Sequence, residues 1–442
     1  MELGNLFLKE NFFKNYRKKK NVNENFNGVE FIISPVCNLG CEYCYIENFG
    51  ELLYPKEKID YEEILNNLSK TIDWFIENNF SPEIELFSGE IFAQEIGYKC
   101  CELIYNKYKD VSQEKKPTRI IVPTNYTFLL NNYATNRVEK IIQNFKDIGI
   151  DFILSASVDG KYMEMNRPFS YNYTNDYYSF IPHKQRDDDY YDKLFKFNKK
   201  YNFGFHPMIY ANNMDKWIDN WLWFQDNFKK YGFPFDRIYL LYVRNWEWSD
   251  KNIQDFNNFI KFLIQWTFIN IFNEDREGFS YFIIKKGYNL LSTPFSVTGR
   301  GVGCAIQSKI SVRLADLSVF PCHRLMYPHF KECDFIKGEN LRSFPNSDLF
   351  VAEKTFNAKS QPMCNTCLIK FNCLKGCLGS QYEVNGELFT PIPTVCKLHY
   401  NFIYTVAKTL REIGVLNEVL SYTSNYHAYG IRQILELKGG ND

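Results

Sequence analysis

The sequence predicts an α/β fold in which a parallel sheet is followed by a smaller, cysteine-rich domain. Six β-rich runs alternate with longer helical patterns over residues 29–250, and this alternation is typical of parallel strands joined by helical crossovers. The runs are almost continuously apolar, as expected for strands that are covered on both faces. After residue 303 the composition changes, and eight of the thirteen cysteines fall between positions 304 and 396.

The six predicted strands are 29–35, 83–89, 119–125, 151–160, 203–210 and 237–245. The segments between them, such as 61–79, carry apolar residues at helical spacing. Ligands of such arrays bind at the carboxyl ends of the strands, so polar residues that follow strands are the first site candidates. The predicted domains are an N-terminal segment 1–28, the strand–helix domain 29–250, a linking helix and boundary 251–303, the cysteine-rich domain 304–398 and a helical tail 399–442.

Charge and hydropathy exclude several classes of partner. Lys plus Arg and Asp plus Glu each total 52, so the net charge is zero and no nucleic-acid partner is expected. We find neither a signal peptide nor a stretch of membrane-spanning length, and we therefore expect a cytoplasmic protein without a membrane partner. Cysteines in such a protein indicate metal ligation or redox chemistry rather than disulfides, although Cys100 and Cys101, in a helical pattern, are expected in the core.

Three cysteines, Cys37, Cys41 and Cys44, follow the first strand directly and form the N-terminal triplet. Three thiolates on one loop can hold three irons of a four-iron cluster and leave the fourth iron open for a ligand. A zinc knot or buried thiols are the alternative, but structural zinc sites prefer four protein ligands. The spacing therefore favours an iron–sulfur cluster with an open site.

At these residues the chain resembles the radical S-adenosylmethionine (SAM) superfamily, whose hallmark is CxxxCxxC with an aromatic residue before the last cysteine, here Tyr43. The resemblance implies a partial (β/α)6 TIM-like barrel of the radical SAM type, with SAM bound to the cluster. Ser88-Gly89-Glu90 is similar to the family's Gly-Gly-Glu motif, which binds the SAM amino group. Ser88 and Ile91, which replaces a usual proline, depart from that motif.

Later strand ends continue the resemblance. The residues that match further SAM-binding positions are Asn125, Ser157, Asp159 and Arg167. Each motif alone is also what an ordinary turn contains, and Arg167 could be a solvated loop residue. The order of the motifs at successive strand ends favours the SAM-binding interpretation.

A second cysteine set resembles the SPASM extension of radical SAM enzymes, which holds two auxiliary [4Fe-4S] clusters. The resemblance implies an outer cluster on Cys364, Cys367, Cys373 and Cys396, and an inner cluster on Cys304, Cys322 and Cys377. The fourth inner ligand is left open between Cys333, a substrate thiolate and no protein ligand. Relatives have a glycine where this chain has Leu317, so we expect that turn to differ. A zinc ribbon is the alternative, because CxxC pairs also suit zinc.

Together the two sets resemble maturases of ribosomally made peptides, and the resemblance implies three [4Fe-4S] clusters. In such an enzyme a 5′-deoxyadenosyl radical abstracts hydrogen from a precursor peptide, and a thioether or carbon–carbon crosslink is the expected product. The implied partners are that peptide and an electron donor such as flavodoxin or ferredoxin. His323 follows Cys322 where sulfatase-maturing enzymes have an acidic residue, and it is a candidate catalytic base or a hydrogen-bonding residue near the cluster.

Four other functions stay open at this stage. They are a sulfatase-maturing type of protein modification, peptide epimerisation, a small-molecule dehydrogenase, and a non-catalytic iron–sulfur carrier or zinc scaffold. The missing acid after Cys322 argues against the first. The SAM-facing strand ends argue against the last.

Overall fold

The computed structural model describes residues 28–48, 60–87, 89–170, 186–295, 309–330, 333–334, 364, 366–373, 376–388 and 390–439. These residues form two compact units. The first takes in the described parts of 1–157, 167–203 and 305–355, and the second those of 158–166, 204–304 and 356–442. Residues 1–27 and 296–308, which include the end of the predicted linking segment 251–303, lie outside the described residues, and the predicted domain limits stay predictions.

The strands are β1 (Gly28–Ile32), β2 (Glu83–Phe87), β3 (Arg119–Thr124), β4 (Asp151–Ala156), β5 (Met208–Ile209), β6 (Leu241–Tyr242), β7 (Lys309–Arg313), β8 (Ser318–Phe320) and β9 (Cys333–Asp334). In the first unit they form one sheet in the order β4-β3-β2-β1-β7-β8-β9. The first five strands of that order run parallel, and β8 and β9 are antiparallel additions. The predicted α/β fold with a parallel central sheet is confirmed.

The helices are α1 (Tyr61–Glu77), α2 (Glu95–Tyr108), α3 (Asn132–Asp147), α4 (Asp188–Tyr201), α5 (Trp217–Tyr231), α6 (Asp250–Asn270), α7 (Arg276–Lys285), α8 (Leu378–Asn385), α9 (Pro393–Glu412), α10 (Leu416–Ser421) and α11 (Asn425–Gly439). Helix α1 shows how the sequence fixes such an element. The Asp60 side chain accepts hydrogen bonds from the backbone N–H groups of Glu62 and Glu63, at 2.9 and 3.2 Å. Buried residues at helical spacing, Ile64, Leu68 and Phe75 among them, give the helix its core-facing side.

Strand β7 pairs in parallel with β1, an arrangement that the sequence did not predict. The turn between β7 and β8 contains Leu317 with φ +56°, in the left-handed region that glycine adopts without strain. Asp316 closes the turn by accepting hydrogen bonds from Arg313 Nε at 2.9 Å and from the Ser318 N–H at 3.0 Å. This chain therefore holds a glycine-type conformation with a leucine.

The second unit contains the parallel pair β5 and β6, in which Met208 lies opposite Leu241. Both fall inside predicted strands, although each is only two residues long. Helix α6 packs along α9, and the buried side chains of both helices, such as Leu263 and Leu410, form the core there. Among the helices that the structure describes, none is long and apolar enough to cross a membrane.

Candidate active site

The loops that follow β1, β2, β3 and β4 are hydrogen-bonded to one another at one edge of the sheet. Gly89 N donates to Ser34 O at 2.8 Å, and Glu90 N donates to Val36 O at 2.9 Å. Ser157 N donates to the carbonyl of Thr124 at 2.9 Å. The loop with the N-terminal triplet thus belongs to a continuous set of strand ends, where ligands of parallel sheets bind.

Gly89 is required by a close approach between two backbones. A Cβ atom at this position would lie 2.3 Å from the carbonyl oxygens of both Pro35 and Val36, which immediately precede Cys37. A side chain would therefore push the loop of the triplet away from β2. The neighbouring Ser88 lies outside the described residues.

Glu90 is buried and links β2 to β3. Its carboxylate accepts hydrogen bonds from Asn125 N at 2.6 Å, Thr124 Oγ1 at 2.7 Å and Phe92 N at 3.1 Å. Burial raises the pKa of Glu90 to about 7, although these bonds and the Arg167 charge lower it. A carboxylate has about four acceptor positions, so one more donor can still be accommodated.

The Asn125 side chain holds the loop of the triplet in place. Its Nδ2 donates to Asn38 Oδ1 at 2.8 Å and lies 3.9 Å from Cys37 Sγ. Asn38 in turn donates to Thr127 Oγ1 at 2.8 Å. The sequence singled out Asn125 as a SAM contact and missed Asn38 and Thr127, whose positions inside a motif or after a strand end gave no separate signal.

The three thiols of the triplet interact with one another. Burial raises the pKa of Cys37, and the charges of Cys41 and Glu90 raise it further. Burial and the charge of Cys41 raise the pKa of Cys44 to about 11. Leu39 N donates to Cys37 Sγ at 3.4 Å. Metal binding deprotonates such thiols, and the N–H donor is suited to the thiolate that results.

Arg167 brings a positive charge to this edge. Its guanidinium donates to the carbonyl of Ser157, and its charge lowers the pKa of both Glu90 and Cys44. The residues after it pair with the triplet loop, since Gly40 N donates to Pro168 O at 2.8 Å. Arg167 is 7% exposed, so it is a buried residue and not a solvated one. The half-buried Tyr43 lies on the same loop.

Asp159 belongs to the second unit. Its side chain accepts a hydrogen bond from Met208 N at 2.8 Å, and its carbonyl accepts one from Asn220 Nδ2 at 2.8 Å. These bonds connect the segment after β4 to β5 and α5. The predicted contact of Asp159 with SAM stays a prediction.

His323 packs against a cluster of buried polar side chains from β1, β2 and β7 of the first unit. Its Nδ1 is 3.0 Å from Glu30 Oε2, and its ring stacks on Phe87 with centroids 4.4 Å apart. Ser311 donates to the same Glu30 carboxylate, and Lys309 Nζ donates to Glu85 Oε2 at 2.6 Å. The sequence missed this group, although acidic residues inside the apolar strand runs were a signal.

The charges of this group shift each other's pKa. Burial alone would raise the pKa of Glu30, but the His323 charge and the hydrogen bonds of His323 and Ser311 together lower it. Burial alone would lower the pKa of His323, but the Glu30 charge and hydrogen bond raise it. His323 is therefore a stronger base than an ordinary histidine. Cys322 beside it is half-buried, and its Sγ accepts a hydrogen bond from Arg324 N at 3.4 Å.

A cavity of about 60 Å³ in the second unit, named here the cysteine cavity, is lined by five cysteines. They are Cys364, Cys367, Cys373, Cys377 and Cys396. Burial and the charges of Cys364 and Cys367 raise the pKa of Cys396 to about 11. Four of the five are the predicted outer ligands. Cys377, predicted for the inner cluster, lines the same cavity.

Besides the cysteines, five polar side chains line this cavity, and Ser380 and His399 among them were not predicted. The Ser380 hydroxyl is buried and has no hydrogen-bond partner among the described residues. His399 on α9 lies with its Nδ1 3.3 Å from Cys373 Sγ. Burial and the Arg244 charge lower the pKa of His399 to about 3.

The thiols of both cysteine groups are of the ligand type that an iron–sulfur cluster takes. In the described part of the chain, no three histidine, cysteine or acidic side chains are close enough to share one ion. Each thiolate of a four-iron cluster binds its own iron, so cluster ligands surround a volume instead of meeting at a point. The Ser380 hydroxyl, unpartnered within the part of the chain that the structure describes, could donate to an acceptor inside the cysteine cavity.

The structure describes only some of the remaining predicted residues. Cys304 lies outside the described residues, and Cys333 enters the structure only as the first residue of β9. The assignment of ligands to the inner cluster therefore stays a prediction. Cys100 and Cys101 are fully buried in α2, as predicted.

No protein-family model matches the chain, and no curated protein matches its sequence. Among solved structures it is similar to native anSMEcpe, an anaerobic sulfatase-maturating enzyme, with bound AdoMet: the TM-score is 0.59 at 17% identity, over 89% of this chain and 100% of that one. The same enzyme with AdoMet and the Cp18Cys peptide gives 0.55 at 16%, over 89% and 99%. SuiB of Streptococcus suis bound to S-adenosylmethionine gives 0.50 at 12%, over 87% and 78%. The chain shares the fold of radical SAM enzymes of the SPASM type.

Proposed function

We propose that this chain is a radical SAM enzyme that modifies a ribosomally made precursor peptide, most simply by forming a thioether or carbon–carbon crosslink. The observation that carries the proposal is the sheet edge where the loops after four strands are hydrogen-bonded to one another around the N-terminal triplet. Glu90 and Arg167 lie at the same edge. SAM carries an amino group and a carboxylate, and this edge offers one charge of each sign. The fold shared with SAM-bound enzymes supports the same conclusion.

Cys37, Cys41 and Cys44 would hold the cluster, which would supply the electron for cleavage of SAM to methionine and a 5′-deoxyadenosyl radical. Glu90 accepts a hydrogen bond from the SAM amino group at its remaining acceptor position, and Arg167 pairs with the SAM carboxylate. Gly89 and Asn125 keep the loop of the triplet against β2 and β3. The chain thus orients SAM with groups that are already fixed by hydrogen bonds.

Forming a crosslink removes two hydrogen atoms from the peptide. One leaves as an atom to the 5′-deoxyadenosyl radical. The second leaves as a proton and an electron. His323 in its neutral form, with its Nδ1 held by Glu30, is the proposed proton acceptor, and auxiliary clusters held on the second cysteine set would supply the electron acceptor. A peptide substrate is supported by the anSMEcpe structure, which contains the Cp18Cys peptide.

The first test is SAM cleavage by the anaerobically reconstituted protein after reduction with dithionite. We expect 5′-deoxyadenosine from the parent and none above background from the Cys37→Ala/Cys41→Ala/Cys44→Ala variant. Intact SAM with fully loaded parent protein would contradict the proposal and favour an electron carrier.

The second test identifies the product. Coexpression with a short peptide encoded beside the gene, followed by mass measurement, is expected to show the loss of two hydrogens shared between two residues. Unchanged mass with one deuterium taken from heavy water would indicate epimerisation instead. An oxidation confined to one Cys or Ser side chain would indicate the sulfatase-maturing type.

A further inference from the structure

His399 occupies a specific position in the wall of the cysteine cavity. It lies on the second turn of α9, is 4% exposed, and its Nδ1 is 3.3 Å from the Sγ of Cys373. The other ring nitrogen, Nε2, is hydrogen-bonded to the Tyr242 hydroxyl. The imidazole therefore links a cysteine of the cavity to a tyrosine of β6 within the second unit.

The chemistry of the sulfur fixes the direction of this contact. A cysteine thiolate that binds iron has no proton to donate and only accepts hydrogen bonds. The Nδ1 atom must then carry the proton and donate to sulfur, whether the ring is neutral or charged. In the neutral ring Nε2 is the acceptor, so the Tyr242 hydroxyl donates to it. One tyrosine thereby selects both the tautomer and the orientation of the ring.

Neighbouring side chains restrict the rotation of His399 and Tyr242. Tyr242 is buried, and the Arg244 guanidinium lies 5.3 Å from the centre of its ring. The His399 ring meets the Tyr242 ring edge to face, with centroids 5.5 Å apart. The rest of the cavity wall includes the apolar residues Ile369, Ile392 and Val395, and the charged Arg244 and Lys370 also line it. In such a partly buried site a single N–H donor to a thiolate has a larger effect than it would in water.

We infer that His399 is a positioning residue that raises the reduction potential of the outer auxiliary cluster, and that Tyr242 orients it for this role. This inference rests on the proposed function, because it assumes a cluster on Cys364, Cys367, Cys373 and Cys396. Hydrogen bonds to cluster sulfurs stabilise the more negative, reduced state, and they are one of the main determinants of cluster potential. His399 makes the outer cluster a better acceptor for the electron that leaves the peptide.

The test is a redox titration of the anaerobically reconstituted full-length protein, followed by electron paramagnetic resonance. The signal that disappears in Cys364→Ala is assigned to the outer cluster. In His399→Leu we expect this signal to require a more negative potential. At the parent midpoint its reduced-to-oxidised ratio should fall about tenfold, which is ~59 mV for one electron.

Two variants separate the hydrogen bond from a merely structural role. His399→Asn places an amide N–H near the position of Nδ1 and is expected to restore most of the parent potential. Tyr242→Phe keeps the Nδ1 donor but releases the ring, and a smaller shift in the same direction is expected. Tyr288→Phe is the matched control, because it removes a buried tyrosine hydroxyl that bonds to Thr267 at 2.9 Å in the same unit, away from the cavity.

The outcomes are distinguishable from those of the proposed function. An outer-cluster potential that is the same in the parent, in His399→Leu and in Tyr242→Phe overturns this inference alone. If His399→Leu does not load iron, the Tyr242→Phe and His399→Asn titrations decide it. If the parent protein shows no signal that Cys364→Ala removes, the inference is overturned together with the outer cluster. If SAM is not cleaved but the outer-cluster potential still shifts in the His399 and Tyr242 variants, only the proposed reaction is overturned.

Discussion

The N-terminal triplet lies on a loop bonded to neighbouring strand ends, whereas the cysteine cavity lies among short turns and the first turns of α8 and α9. The first site is surrounded by buried polar groups such as Glu90, Asn125 and Arg167. The cysteine cavity is lined mainly by thiols and apolar side chains. Cysteine thiols thus lie in two different environments. A polar edge suits the binding of a charged small molecule, and an apolar, thiol-lined cavity suits a cluster that only exchanges electrons.

The two units differ also in how their histidines are held. His323 pairs with the buried Glu30, which raises its pKa. In the second unit, burial lowers the pKa of His399 and of His206. The buried histidine of the first unit thus has a carboxylate partner, whereas burial dominates at these two histidines of the second unit.

The largest expected effect comes from removing each cysteine group in turn. The Cys37→Ala/Cys41→Ala/Cys44→Ala variant should lose 5′-deoxyadenosine formation down to background and keep the iron of the cysteine cavity. Cys364→Ala/Cys373→Ala should lose that iron and still cleave SAM, because its polar edge is intact. Iron analysis and chromatography of the nucleoside check both. Loss of SAM cleavage in both variants with normal folding would break the distinction between the two sites.

Gly89→Ala should strongly disturb the polar edge. The added Cβ would lie 2.3 Å from two carbonyl oxygens, so the triplet loop must move. Overpacking of this kind costs about 1–3 kcal/mol, and we expect lower iron loading as well. Gly40→Ala is the control on the same loop, since among the described residues its Cβ would meet no atom nearer than 3.7 Å. Thermal unfolding and iron content measure the effect, and equal behaviour of the two variants would refute it.

Glu30→Gln tests the buried charge group of the first unit. It leaves His323 without its negative partner in a site where the Glu30 side chain is 6% exposed. We expect a loss of roughly 2 kcal/mol in the free energy of unfolding. Asp192→Asn, at an exposed pair with Lys196, should cost less than about 0.5 kcal/mol. Denaturant unfolding compares them, and a Glu30→Gln loss as small as the control would show that the group contributes little.

The smallest expected effect is the acid sensitivity caused by His206. Burial lowers its pKa to about 4 in the folded protein, against 6.5 for the ordinary group. The unfolded chain therefore binds the proton first, and stability present above pH 6.5 is lost as the pH falls towards 4. By pH 5.5 the loss is about 1 kcal/mol. His206→Gln should flatten the change in melting temperature between pH 7.5 and 5.5, and an unchanged slope would argue against a buried neutral ring.

Much of the first site was accessible from the sequence because its signals are local. The spacing of Cys37, Cys41 and Cys44 lies within eight consecutive residues, Gly89 and Glu90 come shortly after β2, and Asn125 follows β3 directly. The contacts that hold these residues were not accessible. Asn38 bonds to Thr127 over 89 positions, and no pattern in either segment indicates the pair.

The sequence by itself determined the alternation of strands and helices and the two cysteine groups, because periodicity and spacing act between near neighbours in the chain. Only the tertiary structure decided that β7 lies beside β1, that Glu30 meets His323 over 293 positions, and that His399 reaches Cys373. Such contacts depend on how whole elements pack. Packing is set by the sum of many weak interactions and is not encoded in any one segment.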